Sequence, residues 1–284
     1  QDLGAAPVRP TKLQRVWTPS ITVEPQPLPS GIWRGSVALL GGLLLGSALF
    51  LGLRRRRYLP PALPAPTMGD PLAMIYTSGT TGDPKGVMLT SANILRSRRK
   101  LAEASMGWNE WKQGEVSYCA MPIAHIGGTG WCLVGLVNGV KNVVARDFNP
   151  MEALEVIQRE RIAKMFMVPA ALQFVIRTPR AREIDYSSLT HILYGASPMP
   201  VDLLRECMDV FGCKFVQQYG MTETTGTVTY LPPEDHDPKG NDRMRSAGLP
   251  MPGVEMAILD AEGKQLGPNE VGEIATRSAA NMKG

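Results

Sequence analysis

The hydrophobic positions of this chain change rhythm twice. From residue 1 to residue 30 they are scattered among Pro, Gln, Val and Thr with no sustained period, which reads as an extended or disordered segment. Gly35 to Leu53 then carries no charge at all. At about 1.5 Å of rise per residue, such a run nearly spans a hydrocarbon core of roughly 30 Å. Arg54-Arg55-Arg56-Arg57 stops it, and Trp33 and Tyr58 stand at its ends, where aromatic belts lie. A core helix does not normally end in four arginines, and a signal peptide sits at the very start of a chain. Residues 31–58 therefore predict one transmembrane helix. Its arginines place the side that follows them in the cytoplasm. Pro60, Pro61, Pro64 and Pro66 make residues 59–68 a stiff linker.

From residue 69 short apolar runs alternate with longer amphipathic ones. Ala73–Thr77, Val116–Ala120, Asn142–Ala145, Lys164–Val168, His191–Tyr194 and Lys214–Gln218 predict strands. Between them lie a helix capped by Ser91 and running to about Ala104, an apolar helix over Gly127–Leu136, and helices over Ala170–Ile176 and Val201–Phe211. A further helix starts at Asn149-Pro150-Met151-Glu152, with Asn as cap and Pro at the first helical position. The class is α/β, with parallel sheets flanked by helices over residues 69–244. Beyond residue 245 the texture turns to strands. Val254–Leu259 and Val271–Thr276, joined across Asp260-Ala261-Glu262-Gly263, predict a small β subdomain over 245–284.

Composition excludes several classes. The net charge is +4, and much of it sits in Arg54–Arg57. No basic stripe with interleaved aromatics is present, so nucleic acid is not a partner. Cys119, Cys132, Cys207 and Cys213 form no CxxC pair, and the three histidines stand at no metal-ligand spacing from them. Reduced, mostly buried thiols in a cytosolic compartment follow.

The chemistry concentrates in four segments. Thr77-Ser78-Gly79-Thr80-Thr81-Gly82-Asp83-Pro84-Lys85-Gly86 follows a strand. Its glycines let backbone N–H groups approach an anion, its hydroxyls add donors, and Lys85 adds a mobile positive charge. Such a loop grips the β- and γ-phosphates of a nucleotide. It is not a Walker loop, because Gly86 rather than Ser or Thr follows the lysine. Gln217-Gln218-Tyr219-Gly220-Met221-Thr222-Glu223 ends a second strand. There Thr222 suits an α-phosphate, Glu223 suits Mg²⁺, and Tyr219 offers a flat face to a base or acyl group. Gly195-Ala196-Ser197 follows a third strand, and its small residues let a flat ring reach the backbone. Finally, His125 precedes Gly127, Gly128 and Gly130, which leave room for an acyl chain. No Asp or Glu lies between Ala120 and Asn138 to pair with an ammonium group, which favours a neutral, apolar acid over an amino acid.

Together these segments resemble the adenylate-forming superfamily, of the acyl-CoA synthetase or fatty-acid–CoA ligase type. The loop ending in Lys85 resembles its phosphate-loop signature, and Tyr219-Gly220-Met221-Thr222-Glu223 its Tyr-Gly-x-Thr-Glu motif. The resemblance implies that ATP binds to Thr77–Gly82, Lys85, Gly195–Ser197, Gln217 and Tyr219–Thr222. It places adenine at Gly195 and Ala196, Mg²⁺ at Glu223, and the acid near His125, Gly127, Gly128 and Tyr219. Lys85, Thr222 and Glu223 carry the catalytic roles. The implied reaction joins a carboxylic acid to AMP and then passes the acyl group to coenzyme A.

The resemblance covers residues 70–284, roughly the middle of a family member. The ribose-holding Tyr-x-Thr-Gly-Asp motif and the lysine-bearing C-terminal domain do not occur in these residues. Weak nucleotide binding at best is the expectation for this chain alone. Three organisations compete: a truncated or fused synthetase core on a membrane anchor, a single-pass membrane protein with an inactive nucleotide-binding or interaction module, and two halves of different origin joined near residue 68.

Overall fold

A computed structural model describes residues 65–78 and 82–283. The apolar run at 35–53 and the segment before it lie outside the described residues, as do Gly79, Thr80 and Thr81 of the phosphate loop. Among the described residues, no helix is long and apolar enough to cross a membrane.

Among the described residues the main sheet has seven strands, five of which lie side by side in the order Lys141–Val144, Val116–Cys119, Lys164–Met167, His191–Gly195 and Lys214–Met221. Its parallel part is built from β3 (Val116–Cys119), β4 (Lys141–Val144), β5 (Lys164–Met167), β6 (His191–Gly195) and β7 (Lys214–Met221). These strands are mostly apolar toward the middle, as a sheet covered on both faces requires, with Ser117 of β3 a fully buried polar exception. Met165, Met167, Ile192, Tyr194 and Phe215 face one layer with Leu154, Leu172 and Leu204 of the helices α3 (Pro150–Arg159), α4 (Pro169–Arg177) and α5 (Val201–Phe211). The alternate residues Cys119, Phe166, Leu193 and Val216 face the other layer, against Leu101 of α1 (Ser91–Glu103), and Trp131 and Val134 of α2 (Ile126–Val137). Trp131 is held there by its indole N–H, which donates to the Tyr118 carbonyl at 2.9 Å.

The predicted strands and helices between Val116 and Gln218 are present with ends shifted by a residue or two, apart from Lys214–Met221, which runs three residues further. Asn149 caps α3 through bonds from the Met151 and Glu152 amides. The helix expected to start from Ser91 is capped one residue earlier. Thr90 and Asn93 exchange hydrogen bonds, with Asn93 Oδ1 2.8 Å from the Thr90 amide.

Three strands were not foreseen. β2 (Lys85–Thr90) pairs antiparallel with β1 (Pro71–Thr77), so the phosphate loop is the tip of a two-stranded ribbon. β8 (Gly226–Leu231) folds back on β7, and β9 (Leu249–Pro250) extends the sheet beyond β8. The reversal into β8 uses Thr225 in the left-handed region at φ 55°. It also needs Gly220, where a Cβ would stand 1.8 Å from the Gly226 carbonyl oxygen. The late hairpin forms from β10 (Val254–Leu259) and β11 (Glu273–Ser278) rather than from Val271–Thr276. Val271 is 99% exposed, and Gly272 packs directly on the Leu259 carbonyl, so pairing starts only at Glu273.

Candidate active site

The carboxyl ends of β3, β5, β6 and β7 open on one edge, where ligands of α/β sheets bind. Gly195 pairs with Gln218, so the small-residue turn after β6 lies beside the Gln217–Met221 segment. A side chain on Gly195 would collide with the Gln218 carbonyl, 2.0 Å from the position of its Cβ. Ala196 follows in the left-handed region at φ 65°, and with Ser197 it is exposed at this edge. Strand alternation sends Gln218 and Tyr219 to opposite faces. Tyr219 is half-buried, and Gln217 Oε1 is buried with no hydrogen-bond partner among the described residues. A buried acceptor of this kind takes its donor from water or from a ligand group.

Thr222 and Glu223 form the tight turn between β7 and β8. The turn is braced from within, since Thr224 Oγ1 donates to the Gly226 carbonyl at 2.7 Å and accepts from the Met221 amide at 3.1 Å. Glu223 uses its backbone carbonyl to accept from the Met282 amide at 2.7 Å, while its carboxylate makes no bond among the described residues. No group of three or more His, Cys, Asp or Glu that could hold a metal occurs among them. A single free carboxylate fits Mg²⁺, which keeps its waters and takes further ligands from substrate phosphates.

The ribbon reaches this turn directly, because β2 packs against Thr222–Thr224. Ile75, Val87 and Leu89 form its buried side, and Ile126 at the start of α2 packs on them. Lys85 opens β2 opposite Thr77, exposed and without an ion-pair partner among the described residues. Lys85, Thr77, Ser78 and Gly82 thus sit at the tip of a ribbon whose flank touches the Thr222-Glu223 turn.

Beside the turn lies a cavity of about 140 Å³. Its walls are mainly Leu101, Trp108, Trp131, Val134, Phe166 and Leu193, and Gly220 with Thr224–Thr227 borders it on the β7–β8 side. Gly127 and Gly130 line it, and Gly127 is the place where a Cβ would press on the Phe166 ring at 3.2 Å. Gly128 does something else. It is buried against Pro122, whose carbonyl oxygen would lie 2.3 Å from a Cβ, so it permits close packing of the turn before α2 and does not enlarge the cavity. His125 is the exposed N-cap residue of α2, adjacent to the lining residues Ile126 and Gly127 but not itself part of the wall. Tyr219 is likewise outside the cavity lining.

Sequence reasoning passed over the segment 278–283. It ties three site elements together: Asn93 Nδ2 donates to the Ala279 and Asn281 carbonyls at 3.0 and 2.7 Å, the Met282 amide donates to the Glu223 carbonyl, and the Lys283 amide donates to the Met88 carbonyl at 3.1 Å. Ser278, Ala279 and Ala280 also line the cavity. The signal in the sequence was slight, a run of small and polar residues after a strand.

This combination of sheet edge, ribbon loop and Thr-Glu turn is that of the AMP-binding enzymes. The profile of that family matches residues 20–284, and the chain belongs to it. Enzymes of the family use ATP and Mg²⁺, with coenzyme A. The chain is 38% identical over 216 residues to a fatty acid–[acyl-carrier-protein] ligase of Streptomyces coeruleorubidus, a match covering 76% of this chain and 41% of that protein. It is 34% identical over 230 residues to a medium/long-chain-fatty-acid–CoA ligase of Mycobacterium tuberculosis, covering 80% of this chain and 39% of that one. Among solved structures, o-succinylbenzoate coenzyme A synthetase of Bacillus subtilis in complex with ATP and magnesium ion superposes with a TM-score of 0.66 at 30% identity, covering 77% of this chain and 43% of that one. The chain thus spans about two-fifths of the length of these relatives, 41% and 39% for the two ligases.

Proposed function

We propose that the chain carries the nucleotide and acid sites of a ligase that activates a carboxylic acid of the fatty-acid type with ATP and passes the acyl group to coenzyme A. The observation that carries this reading is the convergence of Lys85, the free carboxylate of Glu223 and an apolar cavity with no acidic lining residue. In the first step the acid's carboxylate oxygen attacks the α-phosphorus of ATP. A P–O bond forms to the acid, the bond to the β-phosphate oxygen breaks, and pyrophosphate leaves. Thr222 donates a hydrogen bond to the α-phosphate, and Lys85 with the loop hydroxyls neutralises charge on the departing pyrophosphate. Glu223 would hold Mg²⁺, which supplies further neutralisation of the phosphates. Gly195, Ala196 and Tyr219 receive the base, and Gln217 Oε1 takes a donor from it. In the second step a thiol displaces AMP from the acyl group. The fatty-acid ligases among the relatives support the acid class.

The reading is tested by calorimetric titration of the chain with ATP and Mg²⁺. Magnesium-dependent binding that is lost in Lys85→Ala is expected; absence of ATP binding to the unaltered chain overturns the reading. Residues 31–58 as a membrane anchor, and a cytoplasmic site for residues 69–284, remain proposals. They rest on the uncharged run and its four arginines, and protease protection of the chain in sealed vesicles tests both.

A further inference from the structure

The helix α1 carries a dense basic run, Arg96, Arg98, Arg99 and Lys100. In sequence this reads as a solvated face, and three of the four are exposed. Arg99 and Lys100 share Glu103 at 3.0 Å each. Arg98 differs from them. It falls on the inward stripe with Ile94 and Leu101, at the three- and four-residue spacings that put side chains on one helix face. It lines the cavity beside Leu101, Trp108 and Trp131; Lys100 borders the cavity too, but its ammonium is held by Glu103. Arg98 makes no hydrogen bond, ion pair or ring contact among the described residues, and no Asp or Glu lines the cavity. Burial lowers its pKa to about 10, with no neighbouring charge contributing.

Arg98 is partly buried, and its guanidinium, with five donors, meets no acceptor among the described residues. A charge held partly out of water is stabilised by an opposite one, and among the described residues Arg98 has none. Resting on the reading of this cavity as the acid site, we infer that the acid carries a second anionic group, a carboxylate at the far end of its apolar chain, which pairs with Arg98. The apolar wall between α1 and the β7–β8 turn takes the methylene chain. Arg98 takes the distal carboxylate in a two-point contact that its planar fork matches. A phosphate of ATP or coenzyme A is the other source of an anion, but the aromatic and aliphatic lining around Arg98 suits a methylene chain better than a hydrated phosphate.

The test uses the full chain and two stable adenylate mimics, acyl sulfamoyl adenosines of equal chain length. One ends in a free carboxylate and the other in a methyl group. Calorimetry should show the carboxylate-ended mimic binding about tenfold or more tighter, the range expected of a charge-assisted pair. Arg98→Met should erase that preference and Arg98→Lys should retain part of it. Equal affinities in the unaltered chain overturn the inference. So does an Arg98→Met variant that weakens ATP and both mimics alike, which would place the guanidinium on a phosphate. Binding of the methyl-ended mimic without preference leaves the ligase reading standing while this one falls; binding of neither mimic overturns both. Should Arg98→Met fail to fold, the unaltered chain and Arg98→Lys still decide.

Discussion

Around Met165, Ile192 and Phe215 both faces of the sheet are sealed by helices, whereas the ribbon that carries the phosphate loop buries one side only, Ile75, Val87 and Leu89 with Ile126 against them. Its outer side leaves Leu72, Met74 and Tyr76 half or more exposed, at 52%, 52% and 65%. Stability and chemistry are therefore carried by different parts. The sheet fixes where Gly195, Gln217 and the Thr222-Glu223 turn stand; the ribbon brings Lys85 to them with little packing of its own. Residues at the thinly packed end of the ribbon, such as the exposed Lys85, can change without unfolding the protein.

The strongest way to break this comparison is in the core. Phe215→Ala should cost about 3–5 kcal/mol in urea unfolding, because the ring is buried against Tyr194 and Phe211 and its cavity cannot collapse. Ile75→Ala in the ribbon should cost about 2 kcal/mol, since fewer neighbours surround it. Equal losses at the two positions would show that the ribbon is as tightly built as the sheet.

Next in size is the effect at the loop. Lys85→Ala should weaken ATP binding roughly ten- to a hundredfold, by loss of a charge-assisted contact. It should move stability by no more than about 0.5 kcal/mol, as exposed positions do. Glu223→Gln should leave the fold intact and remove most of the gain in ATP affinity that Mg²⁺ gives. A Glu223→Gln chain that keeps the full magnesium effect would take the metal away from this turn.

The two regions were also unequally legible. The strands of the sheet are short apolar runs bounded by helix signals, so Val116–Gln218 could be read nearly element by element. Val201–Phe211 came out with both ends in place, because Pro200 and Gly212 punctuate it. The ribbon was half missed. Lys85–Thr90 follows a glycine-rich loop whose chemistry masks its strand pairing, and pairing depends on Thr77 meeting Lys85 across the loop. The β7–β8 hairpin was missed for a similar reason, since a left-handed Thr225 is not signalled by residue type. At the site, the motif residues stood out by type and spacing. Arg98 could not, because only the helix phase and the packing of α1 separate it from Arg96 and Arg99.

A smaller effect is expected where ribbon and helix meet. Thr90 ends β2 and caps α1, and its side chain accepts from the Asn93 amide at 3.2 Å. Thr90→Ala should cost about 1 kcal/mol, and Thr90→Ser much less. Because Asn93 also holds the Ala279 and Asn281 carbonyls, losing the cap should also raise amide exchange in 279–283. Exchange raised only within α1 would show that the cap acts locally.

The smallest effect is a dependence on pH that belongs to the sheet and not to the ribbon. His236 is buried with its Nδ1–H donating to the Pro232 carbonyl at 2.9 Å, which leaves Nε2 to accept from the Tyr194 hydroxyl at 3.1 Å. That pattern needs the neutral ring, and burial lowers its pKa below 6.5. His191 is lowered to about 4, first by burial and then by the charges of Lys164 and Lys214. A base whose folded pKa is depressed binds its proton more readily in the unfolded chain. Stability is therefore fully present above about pH 6.5 and is lost as pH falls from there toward 4. Carboxylates with lowered pKa, such as Glu160 beside Lys141 and Arg159, add their loss only below about 4.5. The upper part of the window thus isolates the histidines. The unfolding free energy from urea titration should fall by an amount on the order of 1 kcal/mol or less between pH 7 and 5, and His191→Gln with His236→Gln should flatten the slope. A slope that survives both changes would assign the acid sensitivity elsewhere and leave the buried Tyr194–His236 pair with no part in it.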